Sequence, residues 1–448
     1  MQTVKHAYIE TFGCQMNERD SEIMAQLLAR ADYQPTSDIS RADLILVNTC
    51  SIRAKAEQKV YSLLGRLRRY KKKKPELIIT VAGCVAQQEG KRIQSRMPHV
   101  DIVLGTQNIF RLPELVARAA EGGRQLAITL AKDFVIPSFN GVTVPVLNEK
   151  DAAGRSCRQF VTIMQGCNNF CTYCVVPYTR GRETSRRPAD IIAEIEKHAA
   201  AGIREVTLLG QNVNSYRGID SGPADFPALL QAIAAIDGIE RIRFTTSHPK
   251  DLSDELIHCF ARIKKLCPHF HLPVQSGSNR ILKSMNRKYT RESYLERVEK
   301  LRATRPDIAL TTDIIVGFPG ESEEDFAATV DLLETVRFHS AFSFKYSDRP
   351  NAKAVSFPDK VAEDVKAARL SLLQARQEEI TLRRNREFVG RTLPVMVEGR
   401  SKTDGQCSGR STTNHIVNFP AVDLAPGRIV EIRVEEACLH SLRGRIIT

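Results

Sequence analysis

Three cysteines sit in one short loop. Cys167, Cys171 and Cys174 form a C-x3-C-x2-C motif. Three thiolates at this spacing can each hold one iron of a 4Fe–4S cluster. The loop has no fourth cysteine, so one iron is left open to a bidentate ligand such as the amino and carboxylate groups of S-adenosylmethionine. The competing chemistry is zinc, whose structural sites take four protein ligands in paired spacings. Only Cys157, ten residues upstream of Cys167, stands near enough in sequence to complete such a set. A second trio is dispersed. Cys14, Cys50 and Cys84 are 36 and 34 residues apart and close the apolar runs YIETFGC, DLILVNTC and ELIITVAGC.

Each of those runs reads as a strand followed by a helix. After Cys50, Ser51 is placed to cap a helix, and Ile52, Ala56, Val60, Leu63, Leu64 and Leu67 then recur at helical spacing. Repeated strand–helix units build a parallel sheet with right-handed crossovers. All three cysteines then fall at the carboxyl ends of parallel strands, the edge where open α/β sheets collect ligands. Each also lies near a helix start, where the dipole favours a thiolate. The ordinary alternative is that cysteine is simply a common buried strand residue. Three in phase at strand ends make that the weaker reading.

A second alternating series follows a stretch of short extended pieces. Its strands are FVTIMQG, EVTLLGQNV, RIRFTTSHP, HFHLPVQSG, IALTTDIIVGFPG and HSAFSFKYSDRP, separated by amphipathic helices. Six such units point to a partial (β/α)6 barrel with its site at the strands' C-terminal ends. An open doubly wound sheet would place the site at the same edge. A charged helix is expected over residues 359–386, and the remainder reads as short strands with Gly, Asn and Pro turns, a small β-barrel pattern. The fold class is thus α/β: an N-terminal Rossmann-like parallel-sheet domain (1–120), a linker (121–152), a partial (β/α)6 barrel (153–385) and a C-terminal small β-barrel (386–448).

The chain has 448 residues, 42% hydrophobic and 26% charged, which excludes a mainly disordered protein. No apolar run approaches the ~20 residues of a membrane span, and the start of the chain lacks the apolar core of a secretory signal. Eleven cysteines, an odd number, fit a reducing cytoplasm better than a disulfide framework. Cys259, Cys267, Cys407 and Cys438 read as packing residues, and Cys157 has no nearby second ligand. The net charge of +13 suggests a polyanionic partner. Between residues 53 and 74 there are ten Lys/Arg, namely Arg53, Lys55, Lys59, Arg66, Arg68, Arg69, Lys71, Lys72, Lys73 and Lys74, against the single Glu57. Such a run is often only a solvated helix face. Because it begins beside Cys50, phosphate contact is the expectation here.

Taken together, CNNFCTYC, ETFGCQMNERDSE, ILVNTCSIRAKAEQKVYSLLGRLR, VAGCVAQQEG, VTLLGQNVNSY, FTTSHP, HLPVQSGSNRIL and IIVGFPGE resemble the methylthiotransferases of the radical S-adenosylmethionine superfamily, in order and over essentially the whole length. HLPVQSGS and GRSTTNHIVNF are most similar to the tRNA branch, the MiaB-type enzymes. That resemblance implies 2-methylthiolation of N6-isopentenyladenosine beside the anticodon. Its sister branches act on threonylcarbamoyladenosine in tRNA or on an aspartate of a ribosomal protein. A non-catalytic, metal-stabilised RNA-binding protein is the rival from another class. The resemblance implies two 4Fe–4S clusters, one on Cys167, Cys171 and Cys174 and one on Cys14, Cys50 and Cys84, with S-adenosylmethionine as radical source and methyl donor. It also suggests where that ligand lies: near Tyr173 and along the strand ends carrying Gly210, Gln211, Asn212, Ser247, His248, Gln275, Ser276, Asp313, Gly317 and Glu321. His248 and His271 read equally well as structural histidines. The tail resembles the TRAM domain, an RNA-binding module, in which Arg410, Asn414, Asn418 and Phe419 are candidate contacts. The expected partners are a tRNA anticodon stem-loop and an electron donor, with no membrane, and the chain is expected to be a cytoplasmic monomer. No catalytic acid or base stands out.

Overall fold

The computed structural model describes residues 4–51, 54–138, 156–220, 222–401, 403–421 and 424–447, with backbone alone for 54–58. Ile52, Arg53, the side chains of Lys55, Ala56 and Glu57, and the expected linker from residue 139 onward lie outside the described residues. Two compact units divide the rest. The first draws on the chain up to residue 153 together with Met164–Asn168 and Val175–Arg186, and the second on 154–163, Asn169–Cys174 and Arg187 onward.

In the first unit the chain runs β1 (Lys5–Thr11), α1 (Gln15–Ala29), β2 (Tyr33–Pro35), β3 (Leu44–Thr49), α2 (Ala54–Lys73), β4 (Ile78–Gly83), α3 (Cys84–Arg96), β5 (Ile102–Leu104), α4 (Leu112–Ala120) and β6 (Gln125–Ala127). The six strands form one parallel sheet in the order β2-β1-β3-β4-β5-β6. β6 is one of the short extended pieces of the stretch read as linker. LILV in β3 is apolar without alternation because both faces are covered. Leu44 and Leu46 pack with Ile23, Met24 and Leu28 of α1, while Ile45 and Val47 pack with Val60, Leu64 and Leu67 of α2. The chain moves from β1 out to β2 and returns past β1 to β3. The direction of winding therefore reverses between β1 and β3, the switch point where such sheets bind ligands.

The chain continues through β7 (Arg158–Thr162), β8 (Met164–Gln165), α5 (Val176–Thr179) and β9 (Thr184–Ser185); β8 and β9 pair antiparallel within the first unit. The second unit continues with α6 (Pro188–Ala200), β10 (Glu205–Leu209), α7 (Phe226–Ala234), β11 (Arg241–Phe244), α8 (Asp254–Arg262), β12 (His269–His271), α9 (Asn279–Ser284), α10 (Arg291–Thr304), β13 (Ala309–Val316), α11 (Glu323–Val336), β14 (Ser340–Lys345) and α12 (Glu363–Arg386). β7, β10 and β11 form one parallel sheet and β12, β13 and β14 another. Backbone bonds from Ile242 N to Lys265 O (2.8 Å) and Cys267 N to Ile242 O (3.0 Å) join them into the open six-strand barrel that the sequence pattern predicts. α12 starts four residues later than expected, because Asp359 takes a left-handed φ of 56° that a helix does not admit.

The tail closes into a five-strand barrel, β15 (Thr392–Arg400), β16 (Gln406–Ser411), β17 (Ile416–Pro420), β18 (Ile429–Ala437) and β19 (Leu442–Ile446), around Val395, Val397, Cys407, Val417, Phe419 and Ile432. It docks on the six-strand barrel through two buried arginines of β11. Arg241 donates to the carbonyls of Arg410 (2.6 Å) and Pro394 (2.9 Å), and Arg243 to those of Ser411 (2.7 Å) and Thr412 (2.9 Å). Arg243 also pairs with buried Glu205 at 3.0 Å.

Candidate active site

β1, β3 and β4 are neighbours, and each delivers one cysteine of the dispersed trio at its carboxyl end. Cys14 is the N-cap of α1 and Cys84 the first residue of α3. Cys50 directly follows β3; the helix start expected after Ser51 falls on Ile52 and Arg53, which lie outside the described residues. Glycine precedes two of the three. Gly13 has φ 121°, and a Cβ there would lie 2.8 Å from the Cys50 sulfur; Gly83 has φ 92°, and a Cβ there would lie 2.4 Å from the Thr49 carbonyl oxygen. Only glycine permits both the left-handed backbone and the close approach. Asn17 Nδ2 ties the two strand ends together, donating to Phe12 O and Thr49 O at 2.9 Å each.

The electrostatics differ within the trio. A hydrogen bond with Cys50 brings the Cys14 thiol down to about 6; burial opposes this and the Arg180 charge assists it. Burial pushes the Cys84 thiol up, with Arg180 partly compensating. Among the described residues no three His, Cys, Asp or Glu converge tightly enough to hold a metal ion as they stand. The sulfurs around a four-iron cluster stand farther apart than those around one ion, because each binds a different iron. Arg180 was not legible in the sequence. It follows α5, and its Nη2 donates to Asn17 Oδ1 (2.9 Å) and Asp20 Oδ2 (2.7 Å), groups more than 150 residues away along the chain.

The second trio lies in the loop after β7 and β8. In the second unit this loop is pinned from both sides. Thr172 N donates to Met285 O (3.1 Å), Thr172 Oγ1 to Ser284 O (2.9 Å), and Asn286 Nδ2 to Phe170 O (3.0 Å). Arg287, also missed from sequence, is buried and donates to Cys171 Sγ (3.4 Å), Tyr173 Oη (3.4 Å), Tyr289 Oη (3.0 Å) and Pro273 O (2.7 Å). Its cation beside Cys171 suits a thiolate ligand. Burial holds the Tyr173 phenol well above its ordinary range, so it stays neutral.

The structure sorts the expected rim residues. Gly210, Gln211 and Asn212 follow β10, and Ser247 and His248 follow β11, as expected of rim positions. Asn212 Nδ2 donates to Asp251 (2.7 Å), yet buried Asn212 Oδ1, Ser247 Oγ and His248 Nε2 have no partner among the described residues. Burial first, then the charges of Arg287, Lys250 and Arg297, bring His248 down to about 2, so it is a neutral ring whose Nδ1 accepts from Lys250 N. Polar atoms left open in this way suit a polar ligand such as the amino-acid and ribose groups of S-adenosylmethionine. Gln275 follows β12 with φ 73° and bonds backbone to backbone with Asp313.

Three positions depart from the expectation. Ser276 is fully buried against Thr329 of α11 (3.3 Å). Gly317 donates its N–H to Glu321 (2.6 Å), and a Cβ there would strike Lys366 of α12 at 2.3 Å. Asp313 is not at a strand end. It lies within β13 on the inner wall of the barrel, 3.5 Å from His271. Beside it on β14 the ring of Phe342, not singled out from sequence, is 53% exposed and meets His271 edge-on at 6.3 Å.

The basic helix and the tail also need correction. α2 runs antiparallel to the strands, so Lys71–74 lie at the opposite sheet edge from the cysteines. Lys71 is bound to Asp101 (2.8 Å) and Leu77 O, and Lys74 to Asp43 (2.5 Å) and Ala42 O. Arg66, Arg68, Arg69, Lys72 and Lys73 are exposed, and Arg69 lies over the Tyr70 ring. In the tail, Arg410 is engaged by Glu398 (2.8 Å) and Asn414 (3.2 Å), and Asn414 approaches His269 of β12 (3.5 Å). Phe419 is core and Asn418 is partly buried. Cys157, Cys259, Cys267 and Cys407 are buried as packing residues, Cys157 against Val397 O.

Residues 6–105 match the uncharacterized protein family UPF0004, residues 161–333 the Radical SAM superfamily and residues 386–447 the TRAM domain. Curated relatives align end to end. One from Desulfotalea psychrophila, tRNA-2-methylthio-N(6)-dimethylallyladenosine synthase, is 56% identical over 446 residues, covering 98% of each chain. Another of the same name, from Geotalea uraniireducens, is 53% identical over 99% of each. The chain belongs to the tRNA-2-methylthio-N(6)-dimethylallyladenosine synthase family. Its members are radical S-adenosylmethionine enzymes that modify tRNA. Among solved structures, the radical S-adenosylmethionine methyltransferase TsrM from Kitasatospora setae, with cobalamin and a 4Fe–4S cluster bound, superposes with a TM-score of 0.56 at 14% identity, covering 91% of this chain and 81% of that one. The cobalamin-dependent radical enzyme OxsB gives 0.53 at 14% identity over 84% of this chain, which spans 56% of the OxsB chain. These likenesses show the shared fold. Among the described residues no helix is long and apolar enough to cross a membrane.

Proposed function

We propose that this protein methylthiolates C2 of N6-dimethylallyladenosine (isopentenyladenosine) beside the anticodon of tRNA. The observation that carries this reading is the delivery of Cys14, Cys50 and Cys84 by three adjacent strands at the switch point of the first sheet, in a chain whose radical S-adenosylmethionine domain has its own cysteine loop. Cys167, Cys171 and Cys174 hold one 4Fe–4S cluster, and Cys14, Cys50 and Cys84 hold a second. The C2–H of adenine is neither acidic nor a leaving group, so proton transfer alone cannot exchange it for sulfur. When bound, the clusters and S-adenosylmethionine supply the radical, the sulfur and the methyl group.

The chain's own residues bind and orient. Arg287 holds Cys171 and Tyr173 in place. Asn212, Ser247 and His248 offer unpaired polar atoms to S-adenosylmethionine. On the inner wall Phe342 presents an exposed ring on which the target base can stack. An unstacked anticodon loop suits this better than duplex RNA. The enzyme works in the cytoplasm as a monomer and needs an external one-electron donor.

Replacing Cys167, Cys171 and Cys174 with Ala should abolish S-adenosylmethionine cleavage yet leave about half the iron. Replacing Cys14, Cys50 and Cys84 should leave reductive cleavage intact and stop thiolation. Loss of all iron from the second variant while it stays folded would defeat the two-site reading. Nucleoside mass analysis of tRNA from a deletion strain, with and without the gene, tests the substrate.

A further inference from the structure

The loop that carries Cys171 and Cys174 turns one aromatic ring in and another out. Tyr173 packs beside Ile281, Phe318 and Tyr346. Phe170, next to Cys171, is 38% exposed and has a left-handed φ of 47°. A bulky side chain rarely sits on such a backbone, and strain of this kind gathers at functional sites. The surroundings hold it there. Asn286 Nδ2 donates to the carbonyls of Asn169 (3.2 Å) and Phe170 (3.0 Å). Asn286 and Lys288 are themselves left-handed, with φ 60° and 63°. Another segment reaches the same loop. Ala354 N donates to Thr172 O at 2.8 Å, which brings the helical turn Lys353–Ser356 against it. Val355 in that turn is 41% exposed.

The charge on these segments is of one sign. Residues 169–174, 279–290 and 349–358 contain Arg280, Lys283, Arg287, Lys288, Arg349 and Lys353 and no Asp or Glu. Arg287 is buried, and Arg280 is bound to Asp325. Lys283, Lys288 and Lys353 are exposed, and none has an ion-pair partner among the described residues. Unpaired lysines alone are an ordinary solvated surface. Here they flank an exposed aromatic ring and an exposed aliphatic one residue away from cluster ligands or their bonded neighbours. An apolar centre with a polar rim is the anatomy of a protein interface, and a small one suits a short-lived electron-transfer encounter. Phosphate contact would account for the lysines but not for Val355.

We propose that Phe170 and Val355, flanked by Lys283, Lys288 and Lys353, dock an acidic redox protein that reduces the cluster on this loop. This rests on the cluster reading above and goes beyond it by giving the electron donor a surface and a charge. Only one electron moves. An anionic flavin hydroquinone on the donor becomes the neutral semiquinone, and the cluster core goes from two positive charges to one, with no proton or bond exchanged.

The test uses the reconstituted full chain and an acidic flavodoxin as probe. Binding of oxidised flavodoxin, which needs no turnover, is followed by the anisotropy of a dye attached to it. Cluster reduction by flavodoxin hydroquinone and by dithionite is followed by stopped-flow absorbance. If dithionite does not reduce the parent, the cluster reading fails rather than the docking surface. Combining Lys283→Gln, Lys288→Gln and Lys353→Gln should slow flavodoxin association about tenfold at low salt, and the gap should close as salt is raised. Phe170→Ala should weaken binding about tenfold at every salt concentration, through faster dissociation. Both variants should keep parental iron and parental reduction by dithionite. Parental flavodoxin binding in both variants, or no binding to the parent, overturns the proposal. So does a triple lysine variant that loses tRNA affinity while flavodoxin binding stays unchanged, since the lysines would then belong to an RNA interface. Should Phe170→Ala lose iron, Val355→Ser, which lies off the cysteine loop, decides: weakened flavodoxin binding at full iron supports the proposal, and parental binding overturns it.

Discussion

At the scale of single residues, the first cysteine site depends as much on what is missing as on the thiols. Gly13 has no side chain because a Cβ there would meet Cys50 Cβ at 2.2 Å as well as its sulfur. Gly13→Ala therefore forces Cys50 to move and strains a left-handed backbone. The expected outcome is a folded protein that cleaves S-adenosylmethionine normally but holds about half the iron and thiolates poorly; iron analysis and cleavage assays on one preparation check it. Full iron with normal thiolation would show that the crowding relaxes without consequence. The convergence of Cys14, Cys50 and Cys84 on one sheet edge was legible in the sequence because each closes an apolar strand run. Arg180 and Arg287 were not, since their partners stand 163 and 116 residues away and nothing local marks them. Asp313 was misplaced for a simpler reason: β13 runs on to Val316, three residues past it.

At the scale of an element, α2 shows what a pattern does and does not say. Its apolar stripe correctly gave a helix packed on the sheet, with Val60, Leu64 and Leu67 buried. Its charge run did not distinguish cations held by the fold from cations free to meet phosphate, because the carboxylates of Asp43 and Asp101 arrive from the starts of other strands. Two different results follow. Neutralising Arg66, Arg68, Lys72 and Lys73 together should flatten the salt dependence of tRNA binding. The log–log slope should fall by about 0.7 for each single-strand phosphate no longer neutralised and by about 0.9 for each duplex phosphate. Neutralising Lys71 and Lys74 should leave that slope alone and instead cost stability, on the order of 1 kcal/mol for each partly exposed pair. Binding titrations at several salt concentrations, beside urea melts, separate the two. An unchanged slope in the first set would make α2 a solvated face.

At the scale of the whole molecule, the alternation of strands and helices made the sheet, the partial barrel and the tail barrel legible in order. The docking of the tail was not, because Arg241 and Arg243 grip backbone carbonyls, which leave no mark on the sequence. Deleting residues from 386 onward would strip both buried arginines of their acceptors, so truncation does not isolate RNA binding. The same junction gathers His269, His339 and His415; His339 lies 5.6 Å from His415, and Phe388 packs at 4.6 Å. Burial brings His415 down to about 4, and Arg384, Arg410 and Arg243 oppose its protonation further. Burial likewise holds His269 well below its ordinary value, beside Arg243 and the other histidines, and His339 too, beside Arg384, His415 and Arg302. The groups acting most strongly on these rings are cationic or other histidines, which oppose a proton. The docked state therefore binds fewer protons than the undocked one below the ordinary histidine value of about 6.5. Docking is at full strength above that pH and weakens as pH falls toward 4, by up to about 1.4 kcal/mol per pH unit for each histidine that must charge. Hydrogen exchange in β16 and β17, corrected for intrinsic rates, should show protection falling between pH 7 and pH 5 before the core of the six-strand barrel responds. His415→Gln, which cannot take up the proton, should make that fall shallower by close to one histidine's share. If the variant and the parent lose protection with the same pH dependence, the junction is held by the arginine–carbonyl bonds alone, and the histidines are passengers.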